Sequence, residues 1–167
     1  MQVRELSSDG EIAAAYPLAR ELRDRIRQET FLAEVRRQQA EGYRLYGGFD
    51  EERLVALAGV RRSHTLSRGD HLFVDDLVTA ETSRGAGHGT RMLRAIAAVA
   101  EAEGVGRIYL DSRLTARGFY EGLGFTFLTA IPCWIETRAL APRREDPRII
   151  RAGSRRASSR RRRARPS

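Results

Sequence analysis

The sequence contains no lysine, because all thirty of its basic residues are arginine. A phosphate-binding loop of the GxxxxGK[ST] type needs a lysine to reach the phosphates, so a nucleotide site of that kind is excluded. Cysteine is nearly as rare, and the single Cys133 cannot form a disulfide within the chain. This scarcity is typical of a reducing compartment, and we therefore expect a cytoplasmic protein.

Long hydrophobic runs are also missing. No stretch approaches the roughly 18 consecutive apolar residues of a membrane-spanning helix, and the first residues lack the apolar core of a signal peptide. We expect no membrane association. Three histidines and one cysteine without paired spacing predict no zinc or other metal site.

Charge is distributed unevenly along the chain. Residues 142–167 contain eleven arginines against two acids, whereas residues 1–141 contain nineteen arginines against twenty acids. We predict one domain over residues 1–141 and a disordered Arg/Ser-rich tail over residues 142–167, because the tail repels itself and has little apolar surface to bury. Such a tail attracts nucleic acid weakly and without sequence preference, although it is equally compatible with a solvated extension of no function.

The pattern of residues 1–141 predicts an α+β fold, with a single mixed, mostly antiparallel central sheet flanked by helices. The predicted strands are 1–6, 43–49, 54–60, 72–79, 108–110, 125–128 and 133–136. Helices are predicted to begin at about Glu11, near Gly87 and at Thr115. A further helix is predicted after Thr30, which would be its N-cap. Glycines close the helices that begin at Thr30, Gly87 and Thr115.

The segment from Phe73 to Thr90 joins an apolar strand to a helix through a glycine-spaced turn, FVDDLVTAETSRGAGHGT. Such a turn aims several backbone N–H groups at one place, and the helix dipole adds positive potential there. The arrangement therefore predicts an anion site, above all for phosphate. The glycine spacing does not match the dinucleotide-binding pattern.

Two ordered motifs give this chain a resemblance to the GNAT superfamily of N-acetyltransferases. Arg84, Gly87 and Gly89 occupy the fixed positions of the Arg/Gln-x-x-Gly-x-Gly/Ala pyrophosphate-binding signature, and residues 116–125 follow A-x-x-F-Y-x-x-x-G-F. The resemblance covers about residues 72–128, and a closer likeness is to bacterial members that read DDLVT…RGxGxG…LDSG. This chain departs from them after Ser112, where the glycine is absent, so their substrates do not transfer.

The resemblance implies acetyl-coenzyme A as cosubstrate and a primary amine as acceptor, which attacks directly in a ternary complex. Leu77, Val78 and Thr79 would pair through their backbone with the pantetheine arm, and Arg84 would add charge or brace the loop. The pyrophosphate would bind the loop amides of Gly85, Ala86, Gly87, His88, Gly89 and Thr90.

The resemblance also implies that Tyr120 donates a proton to the departing thiolate, although an amphipathic helix can equally place a tyrosine in the core. Asp75 and Asp76 are the candidates for the base. Strand alternation sends these two side chains to opposite faces, so at most one would face the acetyl site. Their alternative role is to bind loop backbone or neighbouring arginines. Tyr43 is an aromatic candidate for lining the acceptor pocket, but core packing is its simpler interpretation.

A different function class is a non-catalytic acyl-coenzyme A-binding or nucleic-acid-associated module that uses the arginine-rich tail. Thiol release from acetyl-coenzyme A in the presence of an amine would distinguish the enzyme from such a module. The acceptor cannot be inferred from the fold. A homodimer is the default expectation for the oligomeric state.

Overall fold

A computed structural model of the chain describes residues 1–130, 133, 134 and 136. The chain contains two compact units, Met1–Thr126 and Phe127–Ser167, and all helices and strands described below lie in the first. The strands are β1 (Gln2–Glu5), β2 (Tyr43–Asp50), β3 (Arg53–Thr65), β4 (Gly69–Thr79) and β5 (Ile108–Leu110). The helices are α1 (Asp9–Ala14), α2 (Tyr16–Leu22), α3 (Gln28–Gln39), α4 (His88–Ala102) and α5 (Arg117–Glu121).

Within the described residues the strands form one sheet in the order β1-β2-β3-β4-β5. The first four strands pair antiparallel, and β5 pairs parallel with β4. The parallel pair requires a crossover, which α4 supplies. The predicted fold class, a mixed and mostly antiparallel sheet flanked by helices, is confirmed.

The helices cover the sheet on both faces, and each face has its own apolar cluster. Helices α1 to α3 contribute Ile12, Leu18 and Phe31 to the first cluster, which also contains Tyr43 and Val78. Helices α4 and α5 contribute to the second cluster, whose buried members include Val60, Leu72, Val74, Met92, Ile96 and Tyr120. Alternation along the strands supplies both clusters, as expected for a sheet buried on two sides.

Local residues set where the first two helices begin. Ser8 caps α1 in a capping box with Glu11. Pro17 lies at the start of α2, where a residue without an amide hydrogen is tolerated, and α2 is a separate helix from α1. The predicted cap at Thr30 is wrong, because α3 begins two residues earlier, after an extended Arg27.

The strand predicted for residues 125–128 is also wrong. The amide of Phe125 donates to the carbonyl of Tyr120 at 3.0 Å, and Gly124 adopts a φ of +85°. Phe125 therefore closes the end of α5 instead of entering a ladder. Of the strand predicted for residues 133–136, the described residues Cys133, Trp134 and Glu136 are irregular.

The predicted boundary after residue 141 and the predicted tail, residues 142–167, lie outside the described residues. Among the helices of the described part, none is long and apolar enough to cross a membrane.

Candidate active site

Strand β4 carries a β-bulge in the middle of the sheet. Gly59 of β3 pairs with Asp76, and the next residue, Val60, pairs with Val74, so Asp75 has no partner in the ladder. A bulge of this kind inserts one residue and changes which face the following side chains occupy. Accordingly, Val74 packs in the cluster under α4, whereas Val78 packs in the cluster under α1 to α3.

The bulge brings both aspartates to the same face, where they line one pocket. The predicted separation of Asp75 and Asp76 onto opposite faces is therefore wrong. Alternation counts residues as though the strand were regular, and the extra residue in β4 breaks that count between the two carboxylates.

Arginines from two other elements hold the pair of aspartates. Arg61 donates from Nε to Oδ2 of Asp75 at 2.6 Å. Arg23 donates from Nε to Oδ1 of Asp76 and from Nη2 to the backbone carbonyl of Asp75, both at 2.8 Å. Tyr43 donates its hydroxyl to Oδ2 of Asp76 at 3.0 Å. Both oxygens of Asp76 thus accept hydrogen bonds, whereas Oδ1 of Asp75 accepts none from the described residues.

Tyr43 is both a core residue and a pocket residue. Its side chain is 5% exposed, and burial followed by the charge of Asp76 raises the pKa of its phenol far above 10. The hydroxyl therefore remains a donor at any working pH.

The pocket lies between the sheet and helices α2 and α3 and has a volume of about 780 Å³, which suits a small-molecule acceptor. Its apolar wall includes Leu22, Ile26 and Phe31. Its charged groups are the carboxylates of Asp24, Glu34, Asp75, Asp76 and Asp111 and the guanidinium groups of Arg23, Arg25, Arg61 and Arg113.

Strand β4 has an open edge beside the pocket. Its pairing with β5 runs from Leu72 to Val74 and ends there, although β4 continues to Thr79. On the other side Leu77, Val78 and Thr79 pair with β3. Among the described residues, no strand pairs with the edge facing away from β3 over these three residues, so an extended ligand can pair there.

The loop after β4 presents a run of unbonded amides. Within the described residues, none of the backbone N–H groups from Gly85 to Thr90 donates a hydrogen bond. Gly85 and Gly87 adopt φ values of +82° and +78°, and nothing lies within 4 Å of where a Cβ would stand. Glycine is therefore needed at both positions for the backbone conformation and not for space. Six free amides at the start of the 15-residue helix α4 fit a pyrophosphate.

Gly89 has a different role from the other two glycines. A Cβ there would lie 3.2 Å from Cζ of Phe119 and 3.5 Å from Oγ1 of Thr79. Its small size allows the first turn of α4 to pack against α5 and the end of β4. Arg84 forms an ion pair with Glu21, with 3.6 Å between Nη2 and Oε2. The same Oε2 accepts a hydrogen bond from the backbone amide of Glu81 at 2.9 Å.

His88 is buried within the loop, with 5% of its surface exposed. Its Nδ1 and the hydroxyl oxygen of Ser83 are buried side-chain atoms without a partner in the described structure. Ala86 is exposed, and Thr90 is half-buried.

Tyr120 lies in the cluster on the face opposite the pocket and is 9% exposed. Its ring packs edge-on against Phe119 and Phe125, with centroid distances of 5.0 and 5.4 Å. Burial raises the pKa of its phenol. The structure thus brings Asp75 and Asp76 together and keeps Tyr120 on the other side of the sheet, adjacent in sequence to the Phe119 that contacts the loop.

Comparison with known proteins decides the family. The model of the acetyltransferase (GNAT) family matches residues 11–125. An uncharacterized N-acetyltransferase of Bacillus subtilis strain 168, YhdJ, is 32% identical over 131 residues, which cover 75% of this chain and 92% of that protein. The chain belongs to the GNAT acetyltransferase family. The predicted resemblance is therefore confirmed.

Solved structures share the fold of this GNAT acetyltransferase. A Trypanosoma brucei acetyltransferase aligns with a TM-score of 0.63 at 20% identity, covering 81% of this chain and 99% of that one. The aminoglycoside N-acetyltransferase AAC(6')-Iy, solved in complex with CoA, aligns with a TM-score of 0.71 at 13% identity, covering 81% and 93%.

Membership makes this GNAT acetyltransferase an acyltransferase that uses acetyl-coenzyme A. Sequence patterns locate its glycine loop but miss Arg23 and Arg61, which hold the two aspartates. A signal for part of this arrangement exists, because a glycine inside an apolar strand, as at Gly59, indicates a bulge or a close approach. Among the described residues, no group of three or more histidine, cysteine, aspartate or glutamate side chains is arranged to hold a metal ion.

Proposed function

We propose that the protein transfers the acetyl group of acetyl-coenzyme A to a primary amine, which attacks the thioester directly while both substrates are bound. The observation that carries this proposal is the run of six free amides from Gly85 to Thr90, which continues the open edge of β4. A pyrophosphate on the loop and a pantetheine arm along Leu77, Val78 and Thr79 would bring the thioester to the bulge. Arg84 supports the loop through its ion pair with Glu21.

The amine must lose a proton as it attacks, and we assign the base to Asp75. Its Oδ1 accepts no hydrogen bond from the described residues, whereas both oxygens of Asp76 are engaged by Arg23 and Tyr43. An unengaged oxygen that faces the pocket can accept the proton directly or through one water molecule. Asp76 then serves as a fixed anchor beside it.

Tyr120 is the proton donor in this proposal. Attack forms the bond between the amine nitrogen and the carbonyl carbon, the carbon–sulfur bond breaks, and the phenol protonates the leaving sulfur. A backbone amide of β4 near Val78 would donate to the carbonyl oxygen and stabilise the charge that develops there. A ligand threaded between β4 and β5 reaches the aspartates from one face of the sheet and Tyr120 from the other.

The pocket favours an acceptor whose amine is cationic in solution. Its lining carries five carboxylates and four guanidinium groups, and the carboxylates of Asp24, Glu34 and Asp111 form no ion pair with the described residues. An amine with an apolar neighbouring group would match the wall of Leu22, Ile26 and Phe31.

A panel of amines tests the proposal by measuring thiol release from acetyl-coenzyme A and the mass of the acetylated product. We expect equal amounts of thiol and acetylamide, with intersecting initial-velocity lines for the two substrates. Parallel lines would indicate an acyl-enzyme and contradict direct attack. Binding of coenzyme A without turnover of any amine would favour the non-catalytic module.

Single substitutions test the assignment of the base. Asp75→Asn should lower kcat about 100-fold or more, with unchanged affinity for coenzyme A. A larger loss of kcat in Asp76→Asn than in Asp75→Asn would assign the base to Asp76.

A further inference from the structure

The bulge in β4 leaves one strong acceptor outside the sheet. Asp75 has no partner in the ladder with β3, and the ladder with β5 ends one residue before it. Its backbone carbonyl therefore needs a donor from elsewhere, since a carbonyl without a partner disfavours the folded arrangement. That donor is Nη2 of Arg23, at 2.8 Å.

The same guanidinium holds the next residue. Its Nε donates to Oδ1 of Asp76 at 2.8 Å, so one planar group bonds two consecutive residues at the bulge. The donors of a guanidinium are fixed relative to one another, and the two acceptors are thereby fixed as well. A lysine ammonium in this position would supply charge without that fixed geometry.

Arg23 comes from a distant part of the sequence. It is the residue that ends α2, with φ −126° and ψ 86°, and it begins the connection to α3. The preceding residue, Leu22, accepts a hydrogen bond at its carbonyl from Nη2 of Arg113, at 3.4 Å. The end of α2 is thus attached both to the bulge and to the segment after β5.

Among the described residues, no other side chain bonds the backbone carbonyl of Asp75 as Arg23 does. Arg61 bonds the carboxylate of Asp75, and Tyr43 bonds the carboxylate of Asp76, but neither reaches the carbonyl of Asp75. Removing Arg23 would leave the two side chains partly held and the backbone at the bulge unsupported.

We propose that Arg23 is a positioning residue for acetyl transfer, which holds the bulge so that both aspartates face the acceptor pocket. It acts through Asp75 and Asp76 and does not contact the reacting atoms. This inference rests on the proposed function, because it assumes that the bulge is where the amine is acetylated.

Chemical rescue tests the inference in the chain of 167 residues. Arg23→Ala should lower kcat about 100-fold, since misplacement of reacting groups by about 1 Å has effects of that size, while KM for acetyl-coenzyme A changes less than twofold. Added ethylguanidinium should restore much of the lost kcat, because the side chain is 52% exposed and its place is open to solvent. Arg23→Lys should remain slow.

The control is Arg20→Ala, which removes another exposed arginine of α2 that lies outside the pocket lining. It should retain the kcat of the unsubstituted protein. The inference is overturned if Arg23→Ala keeps full kcat, if Arg23→Lys is as active as the unsubstituted protein, or if ethylguanidinium fails to restore kcat. A rise in KM for the amine alone would instead make Arg23 a substrate ligand and also overturn it.

Failure of the proposed function is distinguishable from failure of this inference. If the unsubstituted protein acetylates no amine, the proposed function is wrong, and amide hydrogen exchange then decides the role of Arg23. Faster exchange at the backbone amides of Asp76 and Val78 in Arg23→Ala would support the bulge-holding role. Unchanged exchange there would overturn it.

Discussion

The hydroxyl of Tyr43 reaches Asp76 by passing directly over the backbone of Gly59. A Cβ at position 59 would lie 1.9 Å from that hydroxyl oxygen and 2.4 Å from Cζ of the ring. Gly59 is also the residue that pairs with Asp76 across the ladder. This hydrogen bond joins β2 to β4 across β3, which lies between them. Only glycine leaves room for the tyrosine ring at position 59 of β3.

Gly59→Ala should destabilise the protein by about 1 to 3 kcal/mol, the usual cost of overpacking a filled site. The free energy of unfolding from urea titration measures this loss. Gly106→Ala is the control, because its Cβ would meet nothing within 4 Å. Combining Gly59→Ala with Tyr43→Leu should recover part of the loss, since the two substitutions share one contact. An unchanged unfolding midpoint in Gly59→Ala would show that the ring does not lie over the strand.

Gly87→Ala should weaken binding of coenzyme A about tenfold, because a strained loop aims fewer amides at the pyrophosphate. Isothermal titration calorimetry measures the affinity. Gly104→Ala is the matched control, as Gly104 has a φ of +71° and equally open surroundings but lies at the other end of α4. Both variants should lose about 1 kcal/mol of stability. Equal affinities of the two variants for coenzyme A would show that the loop does not bind coenzyme A.

Tyr120→Phe should lower kcat by about 10²- to 10⁴-fold if the phenol is the proton donor. Burial raises the pKa of Tyr120 above its ordinary 10, so the donor stays protonated at neutral pH and is lost only as the pH rises through that elevated value. Stopped assays of thiol release across pH measure both effects. Tyr109→Phe, in β5, is the control and should retain kcat. Full activity in Tyr120→Phe would return Tyr120 to a purely structural role.

Much of the site could be predicted from the sequence because its parts are local. The glycine loop, the strand before it and the A-x-x-F-Y motif each depend on residues close together in the chain. The mixed sheet also follows from strand and helix periodicity. The strand predicted for residues 125–128 fails because the amide of Phe125 bonds back to the carbonyl of Tyr120, a contact that strand periodicity does not indicate.

The arrangement of the two aspartates could not be predicted, because it depends on contacts between residues far apart in the sequence. Arg23 and Asp76 are separated by 53 residues, and no local pattern indicates that one bonds the other. The bulge has a similar origin. It depends on the pairing of β4 with β3, and Asp75 itself has no sequence signature that distinguishes a bulged residue from a regular one.

Glu11 should make the stability of the domain depend on acid pH. Hydrogen bonds from the backbone and side chain of Ser8, together with Arg4, lower the pKa of Glu11 from 4.5 to about 2. The folded state thus favours the charged carboxylate, and this contribution is complete above pH 4.5 and lost as the pH falls toward 2. The difference in melting temperature between the unsubstituted protein and Glu11→Gln should shrink over that interval. Glu52→Gln, in the exposed β2–β3 turn, is the control for the loss of one carboxylate.

The single extra residue in β4 reverses which side chains face which side of the sheet in the two halves of the strand. Before Asp75, even-numbered side chains point toward α4; after it, they point toward α2 and α3. Deleting Asp75 would leave a continuous ladder with β3 and an uninterrupted row of backbone hydrogen bonds. The chain thus retains an irregularity that ladder formation alone would eliminate, and a search for more stable variants would tend to remove it together with the pocket's acidic pair. Stabilising designs for this protein should therefore treat the length of β4 as fixed.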